Sequence, residues 1–349
     1  MSEEKKIEHT PLSASRIKQF QTCSWSYARN YIDRIPQLGN SGSAKGSIAH
    51  EVFELLLDSK YKVEYDKIVA QNTIKASDVI YKLVFESVDK NPILINKEKE
   101  LKHIEEMILV GLNHDFFVEG GKLISAEYKF DIENEDKSVR LRGFLDKASI
   151  KDDKMIVYDY KSSKKKFSGE DLSSSIQGLA YSFVAKRLWP HLRPVIRFVF
   201  LQFPKDPIQE LEFNEATLKG FEEFLRYIQV KIDNFTEKDA KENFAADKKP
   251  SGEGFDGSLN CGFSKYPGQM KKDGSGPIFS CQYKWELDYF VSLKDGIITN
   301  SSFKEEELVL KDGETIEKRR YFGCPRFNNT IKNFNTPISP DFGNVLNDF

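Results

Sequence analysis

The sequence predicts a mixed α/β fold in which a central mixed β-sheet is flanked by helices. Apolar residues recur with helical spacing over residues 45–57 and again from about 171 to 188. Residues 123–132, 140–161 and 193–203 instead show the alternating or continuous apolar patterns of strands. Because helical and strand patterns alternate along the chain, helices packed on the faces of a sheet are the expected architecture.

Residues 1–120 are expected to form a mainly helical N-terminal part. A first helix, with Ser13 or Ser15 as its N-cap, is expected to end near Pro36. The long helical region from 65 to 119 indicates a helical insert or cap.

His50 lies one turn into the amphipathic helix that begins after a loop of Gly, Asn and Ser at 39–42. Gly46 lies four residues earlier, on the same side of the helix, and leaves room beside the imidazole. A single histidine on such a helix is more often a surface or core residue than a ligand, so other residues must decide its role.

The stretch 140–162 predicts a β-hairpin that gathers charged side chains. Asp159 and Lys161 lie on one face of its second strand, because side chains alternate with a period of two. A tight turn at 151–154 would bring Asp146, on the first strand, beside Asp159. Two carboxylates and an ammonium in one place predict a cation site.

The acid-any-lysine triplet is by itself weak evidence, because it recurs in this charged chain, for example at Asp58 and Lys60. Asp159 and Lys161 differ from the other examples in that an apolar strand leads directly into them. A charged pair at the end of a buried strand needs a partner or a metal ion.

Further candidates lie on the neighbouring elements. Glu127 belongs to the strand before the hairpin, and Gln177 and Tyr181 lie four residues apart on one face of the helix after it. By itself the last pair is almost uninformative.

A basic run follows the hairpin. Lys164, Lys165 and Lys166, together with Arg142 on the hairpin, indicate either a solvated surface or a phosphate-binding patch. The adjacent acids favour the second interpretation.

Composition limits the function classes. The chain has 349 residues, 30% charged residues and a net charge of -2, so a nucleic-acid contact must come from local patches. No apolar run approaches the roughly 18 residues of a membrane span, and the first residues lack the apolar core of a signal peptide. We therefore expect a cytoplasmic protein without a membrane partner.

Three consecutive segments are expected. Residues 1–120 carry the His50 helix, residues 121–240 form the sheet-based core, and residues 241–349, rich at first in Gly, Pro, Lys and Ser, form an irregular C-terminal extension packed on that core.

The chain contains four cysteines and no Cys-x-x-Cys pair, which is too few for a disulfide framework. Reduced thiols are the expected state.

The order of these motifs resembles the RecB-like branch of the PD-(D/E)XK nuclease superfamily, including its RecB/AddB-type and CRISPR-associated exonuclease domains. The resemblance covers residues 12–185, and no motif matches after about 215. It rests on six elements in order: Leu12-Ser-Ala-Ser-Arg-Ile with Cys23-Ser-Trp-Ser-Tyr, Gly46 to His50, Glu127, Gly143-Phe-Leu-Asp146 followed by Lys147 instead of arginine, Asp159-Tyr160-Lys161, and Gln177 with Tyr181.

The resemblance implies a restriction-endonuclease-like core and a metal-dependent deoxyribonuclease. In that family's pattern His50, Asp146, Asp159 and the Tyr160 carbonyl hold Mg²⁺ or Mn²⁺, and Lys161 orients or helps to deprotonate the attacking water. Glu127 is then expected to position the lysine or a second cation. Gln177 and Tyr181 are expected to hold the DNA backbone or the metal-bound water.

Some relatives bind an iron-sulfur cluster through one N-terminal and three C-terminal cysteines. Cys23, Cys261, Cys281 and Cys324 follow that order, but their spacing is looser than the compact pattern that makes such an assignment specific. Free or buried thiols are therefore expected here, with an iron-sulfur cluster or a structural zinc as alternatives.

Two functions follow. The preferred one is an active nuclease, an exonuclease acting on DNA ends or single strands in recombination, repair or phage DNA processing. The alternative is a non-catalytic DNA-binding or scaffolding subunit of a helicase-nuclease assembly. The sequence has no Gly-x-x-x-x-Gly-Lys-Ser/Thr loop, so a helicase would have to be a separate partner.

Overall fold

The computed structural model describes residues 8–248, 259–272 and 277–327. The helices of this part are α1 (Ala14–Thr22), α2 (Ser24–Tyr31), α3 (Ser41–Leu57), α4 (Lys62–Gln71), α5 (Asp78–Lys90), α6 (Lys97–Asn113), α7 (Glu170–Ser173), α8 (Ile176–Leu188), α9 (Glu215–Asp233) and α10 (Glu237–Ala240). The strands are β1 (Lys122–Glu133), β2 (Arg140–Lys151), β3 (Lys154–Lys161), β4 (Arg193–Phe200), β5 (Ile208–Leu211), β6 (Leu287–Lys294), β7 (Ile297–Ser302) and β8 (Thr315–Tyr321).

The described residues divide into two compact units. The first combines the residues up to Ala14 with residues 39–233, and the second combines residues 15–38 with those from 234 onward. The three segments expected from the sequence are consecutive, whereas here the segment 15–38 is grouped with the C-terminal residues.

The first unit contains a five-stranded sheet in the order β1-β2-β3-β4-β5. Neighbouring strands are antiparallel except β3 and β4, which are parallel and are joined through α8. Helices cover both faces of this mixed sheet, so the predicted α/β fold with a restriction-endonuclease-like core is confirmed.

The main core lies between one face of this sheet and helices α3 to α6. Phe53 of α3 packs with Tyr160 of β3, their ring centroids 4.4 Å apart, and both are nearly inaccessible to solvent. A Cβ at Gly111 of α6 would lie 2.3 Å from the Phe53 ring, so only glycine allows α6 to approach α3 this closely. Asn40 caps α3 by accepting a hydrogen bond from the Ser43 backbone N–H.

The region before Pro36 differs from the single helix that we expected. Cys23 has extended backbone dihedrals (φ -160°, ψ 107°) and separates α1 from α2. The helical spacing of the apolar residues continues across the break, which is why the sequence pattern did not reveal it.

The second unit contains a three-stranded antiparallel sheet in the order β7-β6-β8. The described part of the C-terminal extension is therefore less irregular than we predicted. β6 carries apolar residues on both faces, and β7 and β8 are mostly polar, so the alternation that marks a strand is weak in the sequence.

In the described part of the chain, no helix combines the length and the apolar composition that crossing a membrane would need.

Candidate active site

The candidate site lies where α3 passes over the end of the β2-β3 hairpin. A Cβ at Gly46 would lie 2.8 Å from the Ser162 hydroxyl oxygen, so glycine is what lets this helix lie against the end of β3. One turn further along, His50 directs its ring at the same strand end. Its Nε2 lies 3.0 Å from the Tyr160 carbonyl oxygen.

Asp146 reaches this point from β2. Its Oδ1 lies 3.6 Å from the His50 Nδ1, and its Oδ2 accepts a hydrogen bond of 2.8 Å from the Tyr160 backbone N–H. Burial alone would lower the pKa of His50, but the hydrogen bond and charge of Asp146, together with the charge of Asp159, outweigh it and raise that pKa. The imidazole thus lies in an acidic environment.

The strand register explains why the two aspartates are neighbours. Lys147 of β2 and Tyr158 of β3 form the last pair of the ladder, and continuing this register by one residue places Asp146 opposite Asp159, close enough for their charges to interact. This is the juxtaposition that the hairpin predicted.

Asp159 is the most deeply buried acid of the site, with 4% of its side chain exposed. Its Oδ2 lies 2.6 Å from the Lys161 ammonium, yet this oxygen has no hydrogen-bond partner of good geometry. Burial is the largest influence on the pKa of Asp159 and raises it, Lys161 lowers it, and the nearby charge of Asp146 raises it further, with a net upward shift. A buried carboxylate of this kind is stabilised by an added cation.

Gln177 joins the acid and the lysine. Its amide oxygen accepts a hydrogen bond of 2.6 Å from Lys161, and its amide nitrogen donates one of 2.6 Å to Asp159 Oδ1. The same nitrogen lies 2.8 Å from the Tyr181 hydroxyl, which donates to Asp159 Oδ1 at 3.3 Å. A primary amide is suited to this position because it both donates and accepts. Ser175 fixes the start of the helix by accepting from the Gly178 N–H.

Glu127 occupies an unusual backbone position on β1. Its φ is +48°, and it falls between the pairs Ala126–Lys147 and Tyr128–Leu145, opposite Asp146. It lines a cavity of about 450 Å³ together with His50 and Asp146.

Two acids of this cavity, Glu51 and Glu54, did not stand out in the sequence. The proximity of Glu127 adds to burial in raising the pKa of Glu54. Glu54 follows His50 by four residues, which places it on the same face of α3. That spacing was the available signal, but it is common in any charged helix.

The basic residues proposed for DNA binding differ in their surroundings. Arg142 donates two hydrogen bonds, of 2.9 and 2.7 Å, to Asp131, and Lys166 pairs with Asp206 at 2.8 Å. Lys164 and Lys165 are exposed.

Lys147, which replaces the arginine of the resembled motif, points away from these acids. It is only 1% exposed, donates a hydrogen bond of 2.8 Å to the Phe116 carbonyl and lies 3.3 Å from the centre of the Tyr158 ring. Burial lowers its pKa to about 7. Its contacts are those of a residue that ties β2 to the segment after α6.

Comparison with known protein families shows to which family the chain belongs. A family model described as the PD-(D/E)XK nuclease superfamily matches residues 11–263. The chain belongs to the PD-(D/E)XK nuclease superfamily. No match was found among curated proteins.

Members of the PD-(D/E)XK superfamily are nucleases that hydrolyse phosphodiester bonds, and they generally use divalent metal ions such as Mg²⁺ or Mn²⁺. The superfamily part of the sequence prediction is thus confirmed. The RecB-like branch stays a prediction.

The donor atoms of this site are of the kinds that bind hard divalent cations. His50, Asp146, Asp159 and the Tyr160 carbonyl supply one nitrogen and several oxygen donors, and Asp159 Oδ2 is a buried oxygen that lacks a hydrogen bond. Within residues 8–248, 259–272 and 277–327, however, no three His, Cys, Asp or Glu side chains form a preassembled metal cluster. The donors are instead bonded to one another and to Lys161, Gln177 and Tyr181.

The second unit brings the four cysteines to one cavity. Cys23, Cys261, Cys281 and Cys324 are all free thiols, and all line a space of about 310 Å³. Burial raises the pKa of Cys281 to about 11 and that of Cys324 to about 12, and the other cysteines add to both shifts. Cys23 lies 238 positions before Cys261 and 301 before Cys324, yet all of them line one cavity, which their spacing in the sequence did not predict.

Proposed function

We propose that this chain is a divalent-metal-dependent deoxyribonuclease of the RecB-like branch, acting as an exonuclease. The observation that supports this most strongly is the set of polar side chains around the buried Asp159, one of whose carboxylate oxygens lacks a hydrogen bond. A buried acid that is paired with a lysine, braced by an amide and opposite a second acid has no evident structural advantage, because mutual repulsion and burial both oppose its charge.

In this proposal His50, Asp146, Asp159 and the Tyr160 carbonyl hold Mg²⁺ or Mn²⁺. When bound, the ion would lower the pKa of a water and offset the charge that builds up on the phosphate. Mn²⁺ suits the site because one donor is an imidazole.

Lys161 is proposed to orient the attacking water and to help remove its proton. Asp159 and Gln177 hold the ammonium in place, since it lies 2.6 Å from an oxygen of each. Tyr181 donates to Asp159 and thereby limits the rotation of this carboxylate. Gln177 and Tyr181 thus position Asp159 and Lys161. Both are also proposed to contact the DNA backbone.

Glu127 is proposed to hold a second cation or to position the lysine, because it lines the same cavity as Asp146. Lys164, Lys165, Lys166 and Arg142 are proposed to contact phosphates. Lys164 and Lys165 are free to do so as the structure stands, whereas Lys166 and Arg142 must first leave Asp206 and Asp131.

The proposed substrates are DNA ends and single strands produced in recombination, repair or phage DNA processing, with a helicase as a possible partner in that work. The test is cleavage of end-labelled single-stranded, double-stranded and circular DNA with Mg²⁺, Mn²⁺ or EDTA, with Lys161→Met beside the wild type. We expect metal-dependent release of nucleotides from linear DNA by the wild type alone.

Cleavage of circular DNA would contradict the exonuclease assignment. Absence of cleavage on every substrate by folded protein with added metal would contradict the enzyme proposal for the isolated chain. DNA binding without cleavage would then favour the scaffolding alternative.

We further propose that the four cysteines hold an iron-sulfur cluster. The thiols surround a cavity, whereas a single zinc ion would require them to meet at one point. The test is the content of iron and acid-labile sulfide per chain, with visible absorption, in anaerobically purified wild type and Cys281→Ser. Bound zinc, or no metal in either protein, would contradict the cluster.

A further inference from the structure

A hairpin-like segment of the second unit connects Cys261 to Cys281, and residues 259–272 and 277–282 of this region are described. At its base the Cys281 N–H donates to the Cys261 carbonyl at 3.0 Å, and Gly262 pairs with Ser280. Gly262 has φ +73°, and a Cβ there would lie 2.2 Å from the Phe279 carbonyl oxygen. The close pairing of the two arms therefore requires glycine at this position.

Large apolar side chains are exposed along this hairpin. The exposed fractions are 49% for Phe263, 58% for Tyr266, 53% for Met270 and 60% for Phe279. Phe263 and Phe279 are directly opposite each other, since the Phe263 N–H donates to the Phe279 carbonyl at 2.9 Å next to the Gly262 pair. Side chains of directly opposed antiparallel residues lie on the same face. An exposed aromatic pair of this kind is a candidate interaction surface.

The same segment is basic. Lys265, Lys271 and Lys272 are exposed, and none of them forms an ion pair with another residue that the structure describes. Between Cys261 and Cys281 the sequence contains three lysines and a single acid, Asp273, so the segment has a net charge of +2. The charge is thus complementary to a polyanion, and the aromatic rings lie among the cations.

We propose that this hairpin binds a single strand of nucleic acid, with bases stacked on Phe263, Phe279 and Tyr266 and phosphates contacted by the three lysines. Flat π-faces next to cations suit unpaired bases, because in a duplex the faces of the bases are covered by their neighbours. That the bound strand is a substrate rests on the proposed nuclease function. The proposed contact surface lies outside the candidate active site.

The test is fluorescence anisotropy of a labelled oligodeoxythymidylate with the full chain in EDTA, where metal-dependent hydrolysis is stopped. We expect Phe263→Ala/Phe279→Ala to weaken binding of the single strand by about tenfold or more and to change duplex binding much less. Phe85→Ala removes a phenylalanine that is 51% exposed on α5 and is the matched control, with unchanged affinity expected.

A second variant tests the lysines without altering the aromatic surface. Replacing Lys265, Lys271 and Lys272 by alanine should reduce the slope of log affinity against log salt by about 2 for single-stranded DNA. Circular dichroism and thermal unfolding establish that each variant is folded.

Affinity of Phe263→Ala/Phe279→Ala equal to that of Phe85→Ala would overturn the proposal, as would equal losses for single and double strands. Unchanged DNA affinity with a lower concentration-dependent mass would assign the hairpin to self-association instead. Because binding is measured without metal, loss of binding in the variant would support the inference even if the wild type cleaved no DNA.

Discussion

At the scale of single residues, the environment of an acid-lysine pair matters more than its spacing. Asp58 and Lys60 have the same spacing as Asp159 and Lys161, and their ion pair is 2.9 Å long, but 46% of the Asp58 side chain is exposed against 4% for Asp159. The apolar strand before Asp159 signalled that burial in the sequence. The hydrogen bonds of Gln177 with Lys161 and Asp159 could not be predicted from the sequence, because they depend on how α8 packs on β3.

Gln177 provides a test of positioning at this scale. Gln177→Leu removes the hydrogen bonds to Lys161 and Asp159 and leaves both polar groups partly unsatisfied, a cost of about 1–3 kcal/mol. We expect kcat to fall by about ten- to a hundredfold with little change in KM, measured by steady-state cleavage of labelled DNA. A change confined to KM would show that this residue binds substrate and does not orient the lysine.

At the scale of elements, the site depends on how closely α3 approaches the end of β3. Helical spacing in the sequence predicted α3, and alternation predicted the hairpin, because both signals are local. The break at Cys23 and the three-stranded sheet of the second unit were missed, since tertiary contacts override or obscure the local pattern there.

Gly46→Ala tests this approach. The added Cβ would lie 2.8 Å from the Ser162 hydroxyl oxygen and 3.2 Å from the Ser162 Cβ, so either Ser162 or α3 must shift, and a shift of α3 moves His50 relative to Asp146. We expect at least about a tenfold loss of cleavage rate in a protein that stays folded, since small displacements of catalytic groups are costly.

Gly220→Ala, on α9, is the matched control because a Cβ there meets nothing within 4 Å. It should leave cleavage unchanged and stabilise the helix by about 0.5–1 kcal/mol. Equal activities of the two variants would contradict a role for the close approach of α3.

The ion pairs between Asp131 of β1 and the arginines of β2 can be tested by the pH dependence of stability. Hydrogen bonds from Arg140, opposed by partial burial and reinforced by Arg142, lower the pKa of Asp131 to about 2. Its contribution to stability is therefore present at neutral pH and is lost as the pH falls from about 4 to about 2.

Asp131→Asn should lower the free energy of unfolding at pH 7 by less than about 1 kcal/mol, because the ion pairs are partly exposed. Urea unfolding at pH 7 and pH 3 measures the difference between variant and wild type. A difference that grows toward pH 3 would contradict the assigned direction of the pKa shift.

At the scale of the whole molecule, the order of weak motifs was more informative than any one of them. His50 lies on α3, Asp146 on β2, and Asp159 and Lys161 on β3, and the order of these residues in the sequence identified the superfamily before their geometry was known. The convergence of the four cysteines in the second unit could not be predicted, because the long segments between Cys23, Cys261, Cys281 and Cys324 give no local signal of proximity.

The central claim is that Asp159 belongs to a metal-dependent hydrolytic site. Its most direct test is the single-turnover cleavage rate of an end-labelled single strand by wild type, Asp159→Asn and Asp58→Asn across a range of Mg²⁺ concentrations. We expect Asp58→Asn to match the wild type and Asp159→Asn to lose at least about a thousandfold at every Mg²⁺ concentration while keeping its fold. Wild-type rates in Asp159→Asn, or cleavage that persists in EDTA, would contradict the account.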